Sequence, residues 1–407
     1  MSPGAEGSAR TAGGAVLRYR LDGPPAGPVL VLSNSLGTTL DMWEPQVPRL
    51  SGFFRLLRYD TRGHGRSSTP PAPYSVADLG QDLVDLLDAL GIGQAAVCGL
   101  SLGGMAAMWA AAHRPERVRS LVLACTAPEL GPADGWHERA AAVRRDGTGA
   151  LAATLHERWF PPEVRAARPD LLQAVTAMLE SCDDEGYAGC CEAIAGMDLR
   201  PDLERITAPT LVVAGAVDPV TPPATGLALA GAIGGAGLQV LAGASHLANL
   251  ARPEPFTEAV VAHCSGGPQA RGLAARRAVL GDAHVDRATR RPGVAWPAFG
   301  DLLTRYAWGE IWSRPGLDRR TRSAATLAAL VTLGRHEELA FHVPAALRNG
   351  LTAEEVGEVV LQCAIYAGVP AVNAALPTVE RALAEATGAE ETGPDDGAEG
   401  DHGGDGR

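Results

Sequence analysis

Over the first 130 residues, short apolar runs alternate with stretches of helical periodicity. "PVLVLSNS" (Pro28–Ser35) and "AAVCGLS" (Ala95–Ser101) are rich in Val and Leu and end in serine, the pattern of buried parallel strands. Between them, "VADLGQDLVDLLDALGI" repeats apolar residues at helical spacing, and Ser75 and Asp78 are placed to cap it. "GGMAAMWAAAHRP" then predicts a helix ending before Pro115, and "VRSLVLACTA" returns to strand. This βαβ series implies a mostly parallel sheet with helices on both faces.

From about 128 to 200 the strand signal disappears, which predicts a helical cap inserted over the sheet edge. Strands resume at "APTLVVAGAVD" and "GLQVLAGASH". "HCSGGPQARG" breaks the pattern, so 1–262 is expected to form one domain and 263–272 a linker. Beyond it almost everything has helical periodicity, predicting an all-α domain over 273–386.

Composition narrows the chemistry. The 407 residues are 46% hydrophobic, enough to bury two or three domain cores, and carry a net charge of −12. That charge argues against nucleic acid or an anionic membrane as partner. From Gly388 onward seven acids face one arginine, so 387–407 is expected to be a disordered acidic tail. All 35 basic side chains are arginine, which excludes Schiff-base and phosphate-loop mechanisms that need lysine. Seven cysteines without a CxxC give neither a disulfide framework nor a zinc site. With no signal peptide or long apolar run, a cytoplasmic location is expected.

Gly99-Leu100-Ser101-Leu102-Gly103 fits G-x-S-x-G between a predicted strand and a predicted helix. The pattern makes Ser101 a nucleophile and the Leu102 N–H an oxyanion donor, with the second donor expected from Leu36 in "VLSNSLG". The acid and the histidine should follow in that order. Asp218 and His246 lie just after the two later strands, with Asp202 and His263 as weaker competitors. "LSNSLGTTLDMWEPQ", "YDTRGHGRSS" and "CGLSLGGMAA" resemble the 3-oxoadipate enol-lactonases of the α/β-hydrolase superfamily. The resemblance implies a serine-triad lactone hydrolase, with Trp136, Arg139 and Arg144 on the cap as candidates to hold a substrate carboxylate.

A second polar cluster lies in "LGRHEELAFHVPAALRNG", where Glu338 and His342 share a helix face at i,i+4. His336 and His342 are six residues apart, about 120° around a helix, and do not converge as paired zinc ligands would. The run from "RRAVLGDAHVDRA" through "AALP" resembles 4-carboxymuconolactone decarboxylase over nearly all of 273–386. Thiol-using relatives in the wider superfamily carry CxxC-x3-H; here Arg335 and Glu338 stand at the cysteine positions and His342 keeps the histidine. The resemblance implies decarboxylation without metal or cofactor, with His342 as proton donor or electrostatic stabiliser, Glu338 tuning it and Arg322 binding a carboxylate. It also implies a homo-oligomer assembled through this domain.

The two readings join into one expectation: a bifunctional enzyme of protocatechuate degradation acting on small-molecule lactones. Two alternatives stay open. One is a hydrolase of another ester, or a perhydrolase, joined to a helical redox module. The other makes the helical part a non-catalytic oligomerisation module.

Overall fold

A computed structural model describes residues 4–314 and 316–387, which divide at Gly267/Pro268 into two compact units. The acidic tail from Gly388 lies outside the described residues. The first unit is an eight-stranded sheet: β1 (Ala5–Arg10), β2 (Val16–Asp22), β3 (Val29–Ser33), β4 (Arg55–Tyr59), β5 (Ala95–Leu100), β6 (Val118–Ala124), β7 (Thr210–Gly215) and β8 (Gly237–Leu241). Their order is β1-β2-β4-β3-β5-β6-β7-β8, parallel from β4 to β8 and antiparallel at β1 and β2. All six residues of β5 are buried, because helices cover both faces of a parallel sheet and leave no solvated side. The antiparallel β1 escapes sequence reading because "AEGSAR" has no apolar run; as an edge strand it needs none.

The chain leaves β3 toward β4 on one side and β5 toward β6 on the other, so the strand order reverses between β3 and β5. Crevices at such switch points, at the carboxyl ends of the strands, are where open α/β sheets bind ligands. Five α-helices, Ala133–Asp146, Ala152–Trp159, Pro162–Ala167, Pro169–Glu180 and Asp184–Ala195, are inserted between β6 and β7 as the cap. The cap meets the loop after β4 at a backbone crossing. A Cβ on Gly63 would collide with Gly186, and a Cβ on Gly186 with Gly63. The Asp183 N–H donates to the Gly63 carbonyl at 3.0 Å, fixing the crossing beside the first turn of the last cap helix.

The second unit is helical among its described residues. Helices Arg319–Thr332, His336–Arg348, Ala353–Tyr366 and Val369–Thr387 bury Leu327, Val331, Leu339, Val343, Val356 and Val360 against one another. A smaller cluster with Val279, Val285 and Trp308 joins helices Gly267–Leu280 and Asp282–Thr289 to the π-helix Thr304–Trp312. The expected linker over 263–272 is mostly helix. Helix Pro253–Cys264 runs into the segment, only Ser265 and Gly266 interrupt it, and Gly267–Leu280 resumes at once. Gly266 (φ 73°) and Gly267 (φ 75°) adopt the left-handed conformation that ends helices, so two glycines suffice for the break.

Candidate active sites

Ser101 sits on the turn between β5 and helix Leu102–His113 with φ 54° and ψ −115°, a strained backbone for a non-glycine residue. The turn is held by the Ser101 N–H donating to the Ala124 carbonyl at 2.9 Å and by Thr126 Oγ1 donating to the Ser101 carbonyl at 2.8 Å. Its glycines answer to space. A Cβ on Gly103 would strike the Ser33 carbonyl of neighbouring β3, and one on Gly104 would come within 2.7 Å of Thr126. His246 Nε2 lies 2.9 Å from Ser101 Oγ, and its Nδ1 lies 2.9 Å from Asp218 Oδ2. Asp218 also accepts from the Val220 N–H at 2.8 Å and from Thr221 Oγ1 at 2.7 Å. Burial opposes its ionisation, but the His246 contact and these donors outweigh it and hold the carboxyl below its ordinary range. An ionised Asp218 keeps the His246 proton on Nδ1 and leaves Nε2 as the acceptor for the serine proton. The competitors are elsewhere: Asp202 pairs with Arg205 at 3.1 Å, and His263 Nε2 lies 3.0 Å from the Pro209 carbonyl.

Leu36, the candidate oxyanion donor, lines the same cavity as Ser101. The next residue, Gly37, donates its N–H to His64 Nε2 at 3.0 Å, and His64 Nδ1 lies 3.1 Å from the Arg62 carbonyl. Since Nε2 accepts, the proton is on Nδ1, and the loop containing "DTRGHGRS" props the turn that carries Leu36. Burial pushes His64 down to about 4 from its ordinary 6.5, so it is neutral near neutral pH. The unfolded chain takes up this proton near 6.5 and the folded chain only near 4. The contribution is therefore complete above 6.5 and is lost as the pH falls toward 4, in total about 3 kcal/mol. Denaturant titrations of the wild type and His64→Gln at several pH values in this window should show a steeper acid loss for the wild type. Parallel slopes would refute it.

The cavity over Ser101 encloses about 730 Å³ and is walled on the cap side by Trp136, Arg139, Arg158, Trp159 and Tyr187. Trp136 donates Nε1–H to the Leu130 carbonyl at 2.7 Å, and the Arg139 guanidinium rests 4.9 Å from its ring centroid. Arg144 does not face the cavity. It reaches Glu185 at 2.9 Å and Glu192 at 2.5 Å, because helices Ala133–Asp146 and Asp184–Ala195 pack side by side and bring those acids to it. Arg158 lines the cavity instead, and among the described residues no carboxylate pairs with either Arg139 or Arg158.

In the second unit His342 is on helix His336–Arg348, with its ring 4.8 Å from Phe341 and 6.5 Å from Trp312 (centroid distances). Burial, then His284, push it down to about 4, while the Glu338 charge pulls the other way. Glu338 is exposed, and among the described residues no hydrogen bond joins it to His342, so its influence is through charge alone. Arg322, the expected carboxylate ligand, has two of its donors in use. It donates to the main-chain carbonyls of Leu317 (3.2 Å) and Arg314 (2.8 Å), bracing the turn before helix Arg319–Thr332. Trp308 is buried and stacked on Trp312 at 5.0 Å, whereas Tyr306 is exposed.

The sheet, the switch-point crevice and the Ser101–His246–Asp218 geometry define the first unit as an α/β-hydrolase. Comparison with known proteins agrees: the alpha/beta hydrolase fold family matches residues 28–154, and the carboxymuconolactone decarboxylase family matches residues 297–381. The chain is 44% identical to 3-oxoadipate enol-lactonase 2 of Acinetobacter baylyi, across 62% of this chain and 94% of the relative. It is 47% identical to the 4-carboxymuconolactone decarboxylase of the same organism, across 27% of this chain and 81% of the relative. The crystal structure of the enol-lactonase from Burkholderia xenovorans superposes with a TM-score of 0.61 at 43% identity, covering 63% of this chain and 98% of that one. The chain therefore belongs to the 3-oxoadipate enol-lactonase family through its first unit and to the carboxymuconolactone decarboxylase family through its second.

Proposed function

We propose that the chain is a bifunctional enzyme that decarboxylates 4-carboxymuconolactone to 3-oxoadipate enol-lactone and then hydrolyses that lactone to 3-oxoadipate. The observation that carries this reading is the joining, in one chain, of relatives of both enzymes, the product of one reaction being the substrate of the other.

In the first step the ring carbon holding the departing carboxylate is conjugated through a C=C bond to the lactone carbonyl. Loss of CO2 leaves its electron pair delocalised as a dienolate onto that carbonyl, so the electron sink belongs to the substrate and no cofactor is required. One proton must then reach the remote ring carbon. His342, held neutral by burial and His284, takes up one solvent proton once the substrate's negative charge lies beside it, and delivers it to that carbon. Glu338 adds to the same upward pull on the imidazole.

In the second step Ser101 Oγ attacks the lactone carbonyl while His246 accepts its proton, and the N–H groups of Leu36 and Leu102 receive the oxyanion. The ring C–O bond breaks to release an enolate, a better leaving group than an alkoxide, and the enolate ketonises on taking the proton back from His246, which is thereby a base again. Water, deprotonated by His246, then frees the acid from Ser101. Trp136, Arg139 and Arg158 form the wall against which the remaining carboxylate is held.

The wild-type chain, supplied with 4-carboxymuconolactone, should release CO2 and 3-oxoadipate in equal amounts. Absence of CO2, or enol-lactone left unhydrolysed, would refute the reading.

A further inference from the structure

A second arginine of this unit, the first residue of "RRAVLGDAHVDRA", lacks the partners that Arg322 has. Arg276, on helix Gly267–Leu280, is only 8% exposed. Its Nη1 reaches Thr304 Oγ1 at 3.4 Å, and its buried Nε has no hydrogen-bond partner. The nearby acids are engaged: Arg277 takes both Asp282 (2.8 Å) and Asp286 (2.6 Å). Among the described residues no carboxylate pairs with Arg276. A buried guanidinium without a counter-charge is unfavourable, and an incoming anion would relieve that cost.

The surroundings fit an anion. Arg276, Arg287, Arg291 and Arg348 all act on His284 and, after burial, hold its imidazole below its ordinary value. Arg348 is occupied, donating to the carbonyls of Val279 and Leu280, and Arg291 rests 4.9 Å above the Trp296 ring. The positive group leads to His342: the His284 ring lies 4.6 Å from Phe341, and Phe341 lies 4.8 Å from His342 (centroid distances).

We propose that Arg276, with His284 and Arg291 beside it, is the carboxylate subsite of the second unit, and that it holds the substrate carboxylate that is retained. The proposal rests on the decarboxylase reading above. The substrate has two carboxylates, and pairing an arginine with the departing one would stabilise the ground state more than the transition state, in which that charge moves into the ring. Binding through the retained carboxylate avoids this loss and leaves the departing group next to the rings of Phe341 and Trp312.

The test uses the full chain and two readouts. Arg276→Met should raise KM for CO2 release by about 100-fold, with a much smaller change in kcat, and Arg276→Lys should recover part of it. Hydrolysis of enol-lactone supplied directly should not change in either variant. Adipate, a dicarboxylate that cannot react, should raise the melting temperature of the second unit in wild type and not in Arg276→Met. The melting temperature of unliganded Arg276→Met should stay equal or rise, because an unpaired buried charge has been removed. An unaltered KM with the adipate shift intact would overturn the subsite. So would a fall in melting temperature with no recovery in Arg276→Lys, since Arg276 would then be structural. If wild type itself released no CO2, the decarboxylase reading would fall, and the adipate shift would judge the anion site separately.

Discussion

Ser101→Ala, given 4-carboxymuconolactone, is expected to release CO2 at the wild-type rate and to accumulate enol-lactone. Hydrolysis should fall by roughly 10⁴- to 10⁶-fold, because removing the nucleophile of a triad leaves only the oxyanion donors and substrate binding to act. The geometry supports so large a loss. His246 Nε2 is 2.9 Å from Ser101 Oγ, and no other hydroxyl or thiol lies within hydrogen-bond distance of that nitrogen among the described residues. Nearby Cys125 is no substitute nucleophile. Burial and the neighbouring Asp218 charge push its thiol far up, and it lies 3.8 Å from the Ser245 carbonyl. The lactone would be followed by its absorbance and CO2 by a coupled assay. Retained hydrolysis, or CO2 release lost together with it, would break the assignment of the two reactions to two sites.

His342→Ala should do the reverse. CO2 release should drop by about 10²- to 10⁴-fold, the usual worth of a positioned acid or base, while enol-lactone supplied directly is hydrolysed as fast as before. The ring lies among aromatic neighbours and is held neutral by burial and by His284, so alanine removes the proton carrier without unpairing an ion. Glu338→Gln should be milder than His342→Ala, because Glu338 is exposed and acts on the imidazole only through its charge. Undiminished CO2 release in His342→Ala would remove that residue from the mechanism.

What could be read in the sequence was chemistry written in neighbouring residues. The strand–Gly–x–Ser–x–Gly–helix junction is local, since backbone strain and close packing admit glycine at Gly99 and Gly103, and it is found at Ser101. Asp218 and His246 follow strands in the required order, and the structure joins them to Ser101 although they are 117 and 145 residues beyond it. What could not be read depended on tertiary neighbours. An arginine on an amphipathic helix looks the same whether it meets a glutamate or a cavity. Arg144 therefore read as a substrate ligand and is paired with Glu185 and Glu192, whereas Arg158, which no sequence pattern singles out, lines the cavity. Arg322 and Arg276 likewise look alike in sequence, yet one donates to main-chain carbonyls and the other is buried without an acid. His64 lies in "YDTRGHGRSS", quoted above only for its resemblance, and the fold reveals that it braces the turn carrying Leu36. The ten-residue linker reduces to two residues because left-handed glycines break a helix more economically than composition suggests.

The backbone crossing of Gly63 and Gly186 bears on how such hydrolases could be recombined. Each glycine is the other's reason, so a change at one position gains no room from a change at the other, and neither can be tried singly without a clash. A cap taken from elsewhere would have to pass the Gly63 backbone with a residue as small as Gly186. Substrate range in this scaffold is therefore best altered by exchanging the cap together with the segment around Gly63, as one inheritable piece, or by changing cavity-wall residues such as Arg139 and Arg158 and leaving the crossing untouched.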